Sequence, residues 1–237
     1  MTDSPRGDEH KVHGRRRGRR LRPGRAALLE ELLPALRIAL PPEGGRLDPA
    51  TQFDPPRARL WLEIGFGAGE HLAWQAAHNP DVGVIGSEVF INGVASLLRH
   101  VGDEGLDNVR IHDDDARALI AALPDASVER VFLLFPDPWP KLRHAPRRFV
   151  GPRNLAALAR VMADGGELRI ASDDVTYQRW ALRQMQLCPD FEWQVRGPAD
   201  WRARTADWPP TRYEQKAHRQ GRQCLYLRYR RVPRAPI

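Results

Sequence analysis

The chain has 237 residues, of which 42% are hydrophobic, and a formal net charge of +7. This length suits one α/β domain with extensions and is short for two domains. Cys188 and Cys224 are too few for a disulfide framework and lack metal-ligand spacing, so we expect a reducing, cytoplasmic setting and no structural metal. The longest apolar run is far shorter than a bilayer requires, so we expect no membrane-spanning segment.

The positive charge is concentrated in three segments. Residues 1–25 hold nine Lys or Arg against three acidic residues, 138–153 hold five against none, and 201–237 hold ten against two. The remainder of the chain therefore carries a net charge of −12. One basic segment alone is often ordinary solvated surface. An acidic body with three basic patches is typical of a protein that grips a phosphate backbone, which indicates a nucleic acid as partner.

The predicted elements alternate between strand and helix along the chain. Strands are predicted at 58–64, 82–88, 109–113, 128–135, 166–172, 191–196 and 224–231, and helices near 70–79, 91–101, 115–122, 153–163 and 174–186. Strand followed by helix, repeated, indicates parallel strands joined by right-handed crossovers. No helix is predicted between the last two strands, so we expect them to pair antiparallel. The fold class is α/β, with a doubly wound, seven-stranded Rossmann-like sheet that has an antiparallel edge strand.

The domain organisation follows from the same pattern of charge and predicted elements. The segment HGRRRGRRLRPGR at 13–25 is rich in Arg and Gly, and we interpret it as a flexible arm in the free protein. We therefore divide the chain into residues 1–40, a basic N-terminal arm with a leading helix, and residues 41–237, the α/β domain. The ligand site of such a domain lies outside the carboxyl ends of its parallel strands.

A glycine-rich turn follows the first predicted strand in LWLEIGFGAGEH. Gly65, Gly67 and Gly69 follow Glu63 in the pattern ExGxGxG, which lets the backbone turn sharply and approach a ligand closely. The dinucleotide fingerprint requires glycine where this chain has Glu70, a poor neighbour for a pyrophosphate. A nicotinamide-dependent oxidoreductase is therefore disfavoured. A cationic nucleoside, S-adenosylmethionine, suits Glu63 and an acidic lining.

Two further acids follow the second and third predicted strands. Glu88 lies nineteen residues after Gly69, where an acidic residue can accept from both ribose hydroxyls. Asp115, in HDDDA, is placed to accept from the adenine amino group, although the register leaves Asp114 as the alternative. A non-catalytic RNA-binding protein would not explain these acids at successive strand ends. The sequence therefore favours an S-adenosylmethionine site.

The fourth predicted strand ends in FPDPWPK. Pro136 and Pro138 flank Asp137 and disfavour both helix and ladder pairing, so the carboxylate is held in one geometry. A strand-ending loop without function could have the same composition. Because this strand end meets the same edge of the sheet as the acids, we expect Asp137 to lie beside the methyl donor and to meet the acceptor.

These motifs together resemble one enzyme family. The glycine turn, the acids after strands two and three, FPDPWPKLRHAPRR, ASDD at 171–174 and TRYEQK at 211–216 are similar to the bacterial tRNA (guanine-N7)-methyltransferase family. The resemblance covers most of the chain, from RRRGRR onward. It implies a class I methyltransferase fold and methyl transfer from S-adenosylmethionine to N7 of a guanosine at position 46, in the tRNA variable loop.

The resemblance also implies roles for individual residues. Asp137 would be the catalytic residue and would contact the donor as well. Substrate-binding residues would be Lys141, Asp173, Thr211, Arg212, Tyr213 and Glu214, and tRNA phosphates would be held by Arg143, His144, Arg147 and Arg148. The resemblance implies tRNA as partner and no protein partner, with a monomer or homodimer and no metal.

The chemistry of guanine supports the same reading of Asp137. N7 carries a free lone pair, so attack on the methyl group requires no base, and positive charge develops on the purine. A fixed carboxylate stabilises that charge while it accepts from N1–H and the exocyclic amine. Most of the remaining catalysis is expected to be alignment of the sulfonium methyl with N7.

Overall fold

The computed structural model describes residues 14–42 and 44–235. The first half of the predicted arm, residues 1–13, lies outside the described residues. Within the described ranges, every helix is too short or too polar to span a bilayer.

Seven strands form one sheet. They are β1 (Arg59–Ile64), β2 (Val82–Ser87), β3 (Val109–His112), β4 (Val128–Leu134), β5 (Met162–Ser172), β6 (Phe191–Trp193) and β7 (Leu225–Arg231). Their order is β3-β2-β1-β4-β5-β7-β6. Strands β1 to β5 pair in parallel, whereas β7 runs antiparallel to both β5 and β6. The predicted α/β class, seven strands and antiparallel edge are confirmed, with the reversed strand one position in from the outermost strand.

The described helices are α1 (Pro23–Glu31), α2 (Leu33–Leu36), α3 (Glu70–His78), α4 (Ile91–Glu104), α5 (Ala116–Ala122), α6 (Pro152–Val161), α7 (Val175–Gln186), α8 (Ala199–Arg202) and α9 (Arg212–Arg219). Short 3₁₀ turns lie at Ala50–Gln52 and Leu142–Arg147. The expectation of no helix between β6 and β7 was wrong, since α8 and α9 lie there. Helix α9 buries only Glu214 and Ala217, and Tyr213 and Ala217 are its only apolar residues, so a search for apolar residues at helical spacing has little to find there.

Helices cover both faces of the sheet, so the central strands are apolar on both sides. Along β1, Leu62 packs into one hydrophobic cluster and its neighbour Trp61 into the other. Along β4, Val131 and Phe132 divide in the same way, and both are fully buried. Burial of one such side chain contributes about 1.5–3 kcal/mol to folding. The two clusters together hold the sheet, and with it the strand ends, in a fixed position.

The leading segment is attached to the body. Leu33 and Leu36 are buried, and the Ile38 amide donates to the Ile111 carbonyl at 2.8 Å. The described part of the arm also follows the start of α4. The Ile91 amide donates to the Arg16 carbonyl at 3.0 Å, and the Gly18 amide donates to the Asn92 side chain at 2.8 Å. Residues 14–19 therefore have defined contacts with the body, and the flexibility of the arm in the free protein stays a prediction.

The parallel register brings five chain segments to one edge of the sheet. Ile64 at the end of β1 pairs with Ser87 at the end of β2, and Ser87 pairs with His112 at the end of β3. Strand β7 runs the other way, so its first residue, Leu225, pairs with Ser172 at the end of β5. The loop that contains α9 therefore meets the ends of the parallel strands.

The glycine turn packs closely against α4, and this contact generates a stability prediction. A Cβ on Gly93 would lie 2.0 Å from the Gly67 carbonyl oxygen, whereas one on Gly102, in the same helix, would meet only Leu32 at 3.9 Å. Gly93→Ala should lower the free energy of unfolding by about 1–3 kcal/mol through overpacking. Gly102→Ala should raise it by about 0.5–1 kcal/mol, because alanine favours a helix.

Urea unfolding of both variants checks this contrast. Equal stability of Gly93→Ala and Gly102→Ala would show that α4 can move away from the turn without cost.

Candidate active site

The glycine turn joins β1 to α3 in a conformation that only glycine adopts without strain. Gly65, Gly67 and Gly69 have φ values of 69°, 60° and 81°, all in the left-handed region. The Gly65 amide donates to the Ser87 carbonyl at 2.8 Å, which ties the turn to the end of β2. Gly65 lines a cavity of about 660 Å³ along the carboxyl ends of the strands, whereas Gly67 and Gly69, also predicted to contact the donor, lie outside its lining.

Glu88 secures the same turn from the second strand. Its Oε2 accepts from the Gly67 amide at 2.8 Å and its Oε1 accepts from the Phe90 amide at 2.9 Å. The side chain is buried, and this burial raises the pKa of the carboxyl group. Glu88 lines the cavity, so one carboxylate both fixes the turn and presents oxygens to a ligand.

Asp114 and Asp115 line the cavity after the third strand. Asp115 caps α5 by accepting from the Arg117 amide at 2.9 Å, and the Arg117 guanidinium lies 2.6 Å from it. Burial alone would raise the pKa of Asp115, but Arg117 holds it below the ordinary value. Asp114 accepts from the Asp115 amide at 2.8 Å and pairs with Arg16 at 2.5 Å. Both acids are therefore in reach of a ligand, and the choice between them stays open.

The proline-flanked loop after β4 is strained. Phe135 and Trp139 have φ values of 52° and 41°, in a region that aromatic residues rarely adopt. Arg148 holds the loop by donating to the Pro138 carbonyl at 3.1 Å and to the Trp139 carbonyl at 2.9 Å. Asp137 stands between the two strained residues, exposed at the cavity wall. The loop thus holds one carboxylate at a fixed place beside the acids.

Two predicted contacts are not supported by this geometry. Glu63 is 3% exposed, lies outside the cavity lining and is hydrogen-bonded to His71 at 2.7 Å, so its carboxylate supports the start of α3 instead of facing a ligand. Arg148 is 6% exposed, and its donors are used by the loop carbonyls and not by phosphate. In each case the charged group is engaged by the protein itself.

The remaining basic residues of this region face solvent. Lys141 precedes the 3₁₀ turn and is exposed, as are Arg143 and Arg147. Arg147 lies over the Trp139 ring at 5.0 Å, and His144 contacts the edge of the same ring. The predicted RNA-binding residues, Arg148 excepted, therefore form a rim beside Asp137.

The predicted acceptor residues come together around the start of α9. Thr211 caps this helix by accepting from the Glu214 amide at 3.2 Å. Tyr213 lies beside the glycine turn, 3.2 Å from where a Cβ on Gly67 would be, and stacks with Phe135 at 6.5 Å. Burial, and secondarily the Glu88 charge, raise the pKa of Tyr213. Tyr213 is therefore the acceptor-side residue that meets the donor-side turn.

The other acceptor residues have protein partners. The Asp173 carboxylate pairs with Arg222 at 3.0 Å, and the adjacent Asp174 caps α7 by accepting from the Tyr177 amide at 2.9 Å. Glu214 is buried and pairs with Arg204 at 3.0 Å. Arg212 pairs with Glu70 at 2.8 Å. Asp173 and Arg212 retain exposed area at the edge of the sheet, whereas Glu214 points inward.

Several supporting residues could not have been found from spacing alone. Gly93 packs against the Gly67 carbonyl, Arg148 donates to the carbonyls of Pro138 and Trp139, and Arg204 pairs with Glu214, and none of these contacts follows from a residue pattern. The only sequence signal for Gly93 is a glycine inside a helical pattern, which often marks a close approach. Arg148 looked like any other member of a basic run.

The cavity suits S-adenosylmethionine. It offers Gly65 at the start of the turn, a buried carboxylate in Glu88 for a hydroxyl pair, and two more acids along one side. Carboxylates favour a cationic ligand and disfavour a pyrophosphate. Across the described part of the chain, His, Cys, Asp and Glu side chains nowhere gather in threes as a metal site requires.

Solved structures share this fold at low identity. A putative rRNA methylase from Clostridium thermocellum has a TM-score of 0.53 at 12% identity, covering 76% of this chain and 89% of that one. The [4+2]-cyclase SpnF has a TM-score of 0.51 at 16% identity, covering 77% and 78%. At these identities the likeness establishes the fold alone, and the cyclase shows that the fold serves more than one reaction.

Proteins with similar sequences identify the family of this chain. A family model described as putative methyltransferase matches residues 57–227. A tRNA (guanine-N(7)-)-methyltransferase from Rhodospirillum rubrum is 52% identical over 237 residues, which cover 99% of this chain and 92% of the relative. A relative of the same name from Paramagnetospirillum magneticum is 53% identical over 222 residues, covering 93% and 92%. With matches of this extent around the site described above, the chain belongs to the tRNA (guanine-N7)-methyltransferase family, whose methyl donor is S-adenosylmethionine.

Proposed function

We propose that this protein transfers the methyl group of S-adenosylmethionine to N7 of a guanosine in tRNA, at position 46 of the variable loop. The observation that carries this proposal is the fixed position of Asp137, an exposed carboxylate on a strained loop at the wall of the acid-lined cavity. Family membership supports the substrate, and the two free cysteines support a cytoplasmic setting, where thiols stay reduced.

The donor would be held by the first three strand ends. Glu88 would accept from the ribose hydroxyls while it keeps the glycine turn closed, and Asp114 or Asp115 would accept from the adenine amine. The donor supplies an electrophilic methyl group on a cationic sulfur. Glu63 would act behind this site, through His71 and α3, since its carboxylate is buried away from the cavity.

Asp137 would act on the acceptor base. As N7 takes the methyl group, the guanine ring gains positive charge, and a carboxylate at its N1–H and amine edge lowers the energy of that state more than of the neutral ground state. The loop needs no reorganisation at that moment because Arg148 already holds its carbonyls. No general base is required.

The tRNA would lie across the rim of Lys141, Arg143, His144 and Arg147, with Asp173, Thr211 and Tyr213 beside the guanosine. The arm extends this basic surface, because residues 14–19 are tied to the start of α4 next to the cavity, which Gly14 lines. Phosphate contacts of this kind position the RNA and carry no base specificity.

The first test of this proposal is Asp137→Asn. The amide keeps the shape of the loop but lacks the charge, so the rate of methyl transfer at saturating tRNA and donor should fall by about 10²–10³-fold, with little change in tRNA affinity. Single-turnover transfer measures the rate, and nucleoside mass spectrometry identifies the product. A rate close to that of the parent would leave Asp137 as a loop residue only.

Glu88→Ala tests the donor site. It removes the acceptors of the Gly67 and Phe90 amides and the proposed ribose contact, and should weaken S-adenosylmethionine binding by about 1–3 kcal/mol. Calorimetric titration measures this, with thermal unfolding as control for the turn. Because burial raises the pKa of Glu88, acidification should weaken donor binding in the parent sooner than for an exposed glutamate, and Glu88→Gln should flatten that profile. Unchanged donor affinity in Glu88→Ala would point to another ligand.

The arm is tested by charge removal that leaves its attachment intact. Replacing Arg15, Arg17, Arg19 and Arg20 with Gln, and keeping Arg16, should weaken tRNA binding and flatten its salt dependence by about 0.7–0.9 in slope for each lost phosphate contact. Donor affinity should be unchanged. Arg179→Gln with Arg183→Gln, on α7, is the control. A salt slope equal to that of the parent would remove the arm from the RNA surface.

A further inference from the structure

Glu70 occupies the position where a dinucleotide-binding turn requires glycine. Its contact with Arg212 gives a structural reason for a glutamate there. Glu70 is the first residue of α3, directly after the glycine turn. Its Oε1 accepts from the Arg212 guanidinium at 2.8 Å and from the Arg212 backbone amide at 3.2 Å. These residues are 142 positions apart in the chain. One carboxylate therefore holds both the side chain and the first peptide of α9.

This contact fixes how α9 begins. Thr211, the N-cap residue, accepts from the Glu214 amide, and Glu70, from a different helix, accepts from the Arg212 amide. A negative charge at a helix N-terminus also interacts favourably with the helix dipole. The start of α9 is thus set by a residue that belongs to the donor-binding side.

Helix α3 also holds the acceptor segment at a second point. Gln75, which is 1% exposed, donates to the Asp207 carbonyl at 2.8 Å. The Asp207 carboxylate pairs with the buried Arg169 at 2.6 Å, and the next residue, Trp208, is fully buried. Residues 207–213 are therefore attached to α3 at both ends of that stretch.

We infer that Glu70 is a positioning residue for methyl transfer, which holds Arg212 so that Tyr213 and the acceptor pocket lie over the glycine turn. This inference rests on the proposed function. It gives Arg212, which the resemblance places among the substrate-binding residues, a structural task as well, because its Nε and its backbone amide both donate to Glu70. Donor and acceptor halves of the site are then built on one helix.

The effect is expected on rate more than on stability. The side chains of Arg212 and Glu70 are 57% and 26% exposed, and ion pairs of such exposure contribute little to folding. A small displacement of the acceptor relative to the methyl group is costly, since a shift of about 1 Å can slow a reaction by about 10²-fold.

The experiment compares Glu70→Gln, Arg212→Gln and the double variant in single-turnover methyl transfer at saturating tRNA and donor. Each single variant should lower the rate constant about tenfold, and the double variant should be no slower than either single one, because all three break the same contact. Arg212→Lys should recover part of the rate. Donor affinity and the unfolding midpoint should stay close to those of the parent.

The matched control is Asp81→Asn. Asp81 pairs with Arg59 at 2.8 Å, the same separation, at the opposite edge of the sheet, so its loss should leave the rate unchanged. Hydrogen exchange adds a readout that does not depend on turnover. Amides 212–214 should exchange faster in Glu70→Gln than in the parent, both with donor bound.

Tighter tRNA binding by Glu70→Gln than by the parent would overturn the inference. If Arg212 binds phosphate directly, Glu70→Gln frees it, and tRNA should then bind more tightly with a steeper salt dependence. Rate losses that add in the double variant would also overturn it, since they would show that the two residues act independently. A parent that transfers no methyl group to tRNA would reject the proposed function instead, and the exchange of amides 212–214 would still decide whether Glu70 docks α9.

Discussion

The peptide of Gly67 is the contact on which the rest of the site depends. Its amide donates to Glu88, its carbonyl lies where α4 leaves no room for a Cβ on Gly93, and its α-carbon faces the ring of Tyr213. Three elements that are remote in sequence thus meet on one residue without a side chain. A side chain there would meet the ring of Tyr213, and the left-handed φ makes glycine the residue that fits without strain.

The electrostatic layout divides the edge of the sheet into two functions. Acids line the cavity after the first strands, where a sulfonium ion would be stabilised, and arginines and lysine lie on the 3₁₀ turn beyond Asp137, where phosphates would be bound. Asp137 stands at the border between them. A carboxylate at that border is useful because the charge that develops during N7 methylation is positive and lies on the base, between the donor and the phosphates.

The loop FPDPW shows how rigidity is achieved at this border. The prolines restrict the backbone on either side of Asp137, but they do not by themselves decide where the carboxylate points. Arg148 completes the constraint from inside the protein, with two carbonyls as its acceptors and Trp180 beneath its guanidinium at 4.8 Å. The strain at Phe135 and Trp139 is the cost of an aspartate that is exposed and yet fixed.

The sequence by itself determined the sheet, its strand ends and the acids that follow them. Hydrophobic alternation and glycine chemistry are local, so the bounds of β1, β2, β4 and β7 and the place of the turn could be read within a residue or two. Residues next to a predicted strand end, such as Glu88 and Asp137, were placed correctly at the cavity for the same reason.

Only the tertiary structure decided which charged groups face the cavity and which are already bound. In sequence, Glu63 and Arg148 resemble the charged residues around them, yet in the structure they are bound by His71 and by the loop carbonyls. The pairing of Glu70 with Arg212 spans 142 residues, and no local pattern encodes such a contact. Helix α9 escaped detection because its stability comes from Thr211, Glu70 and Arg204 and not from an apolar stripe. Long-range partners of charged side chains are set by the fold, since a charge in sequence specifies no direction in space.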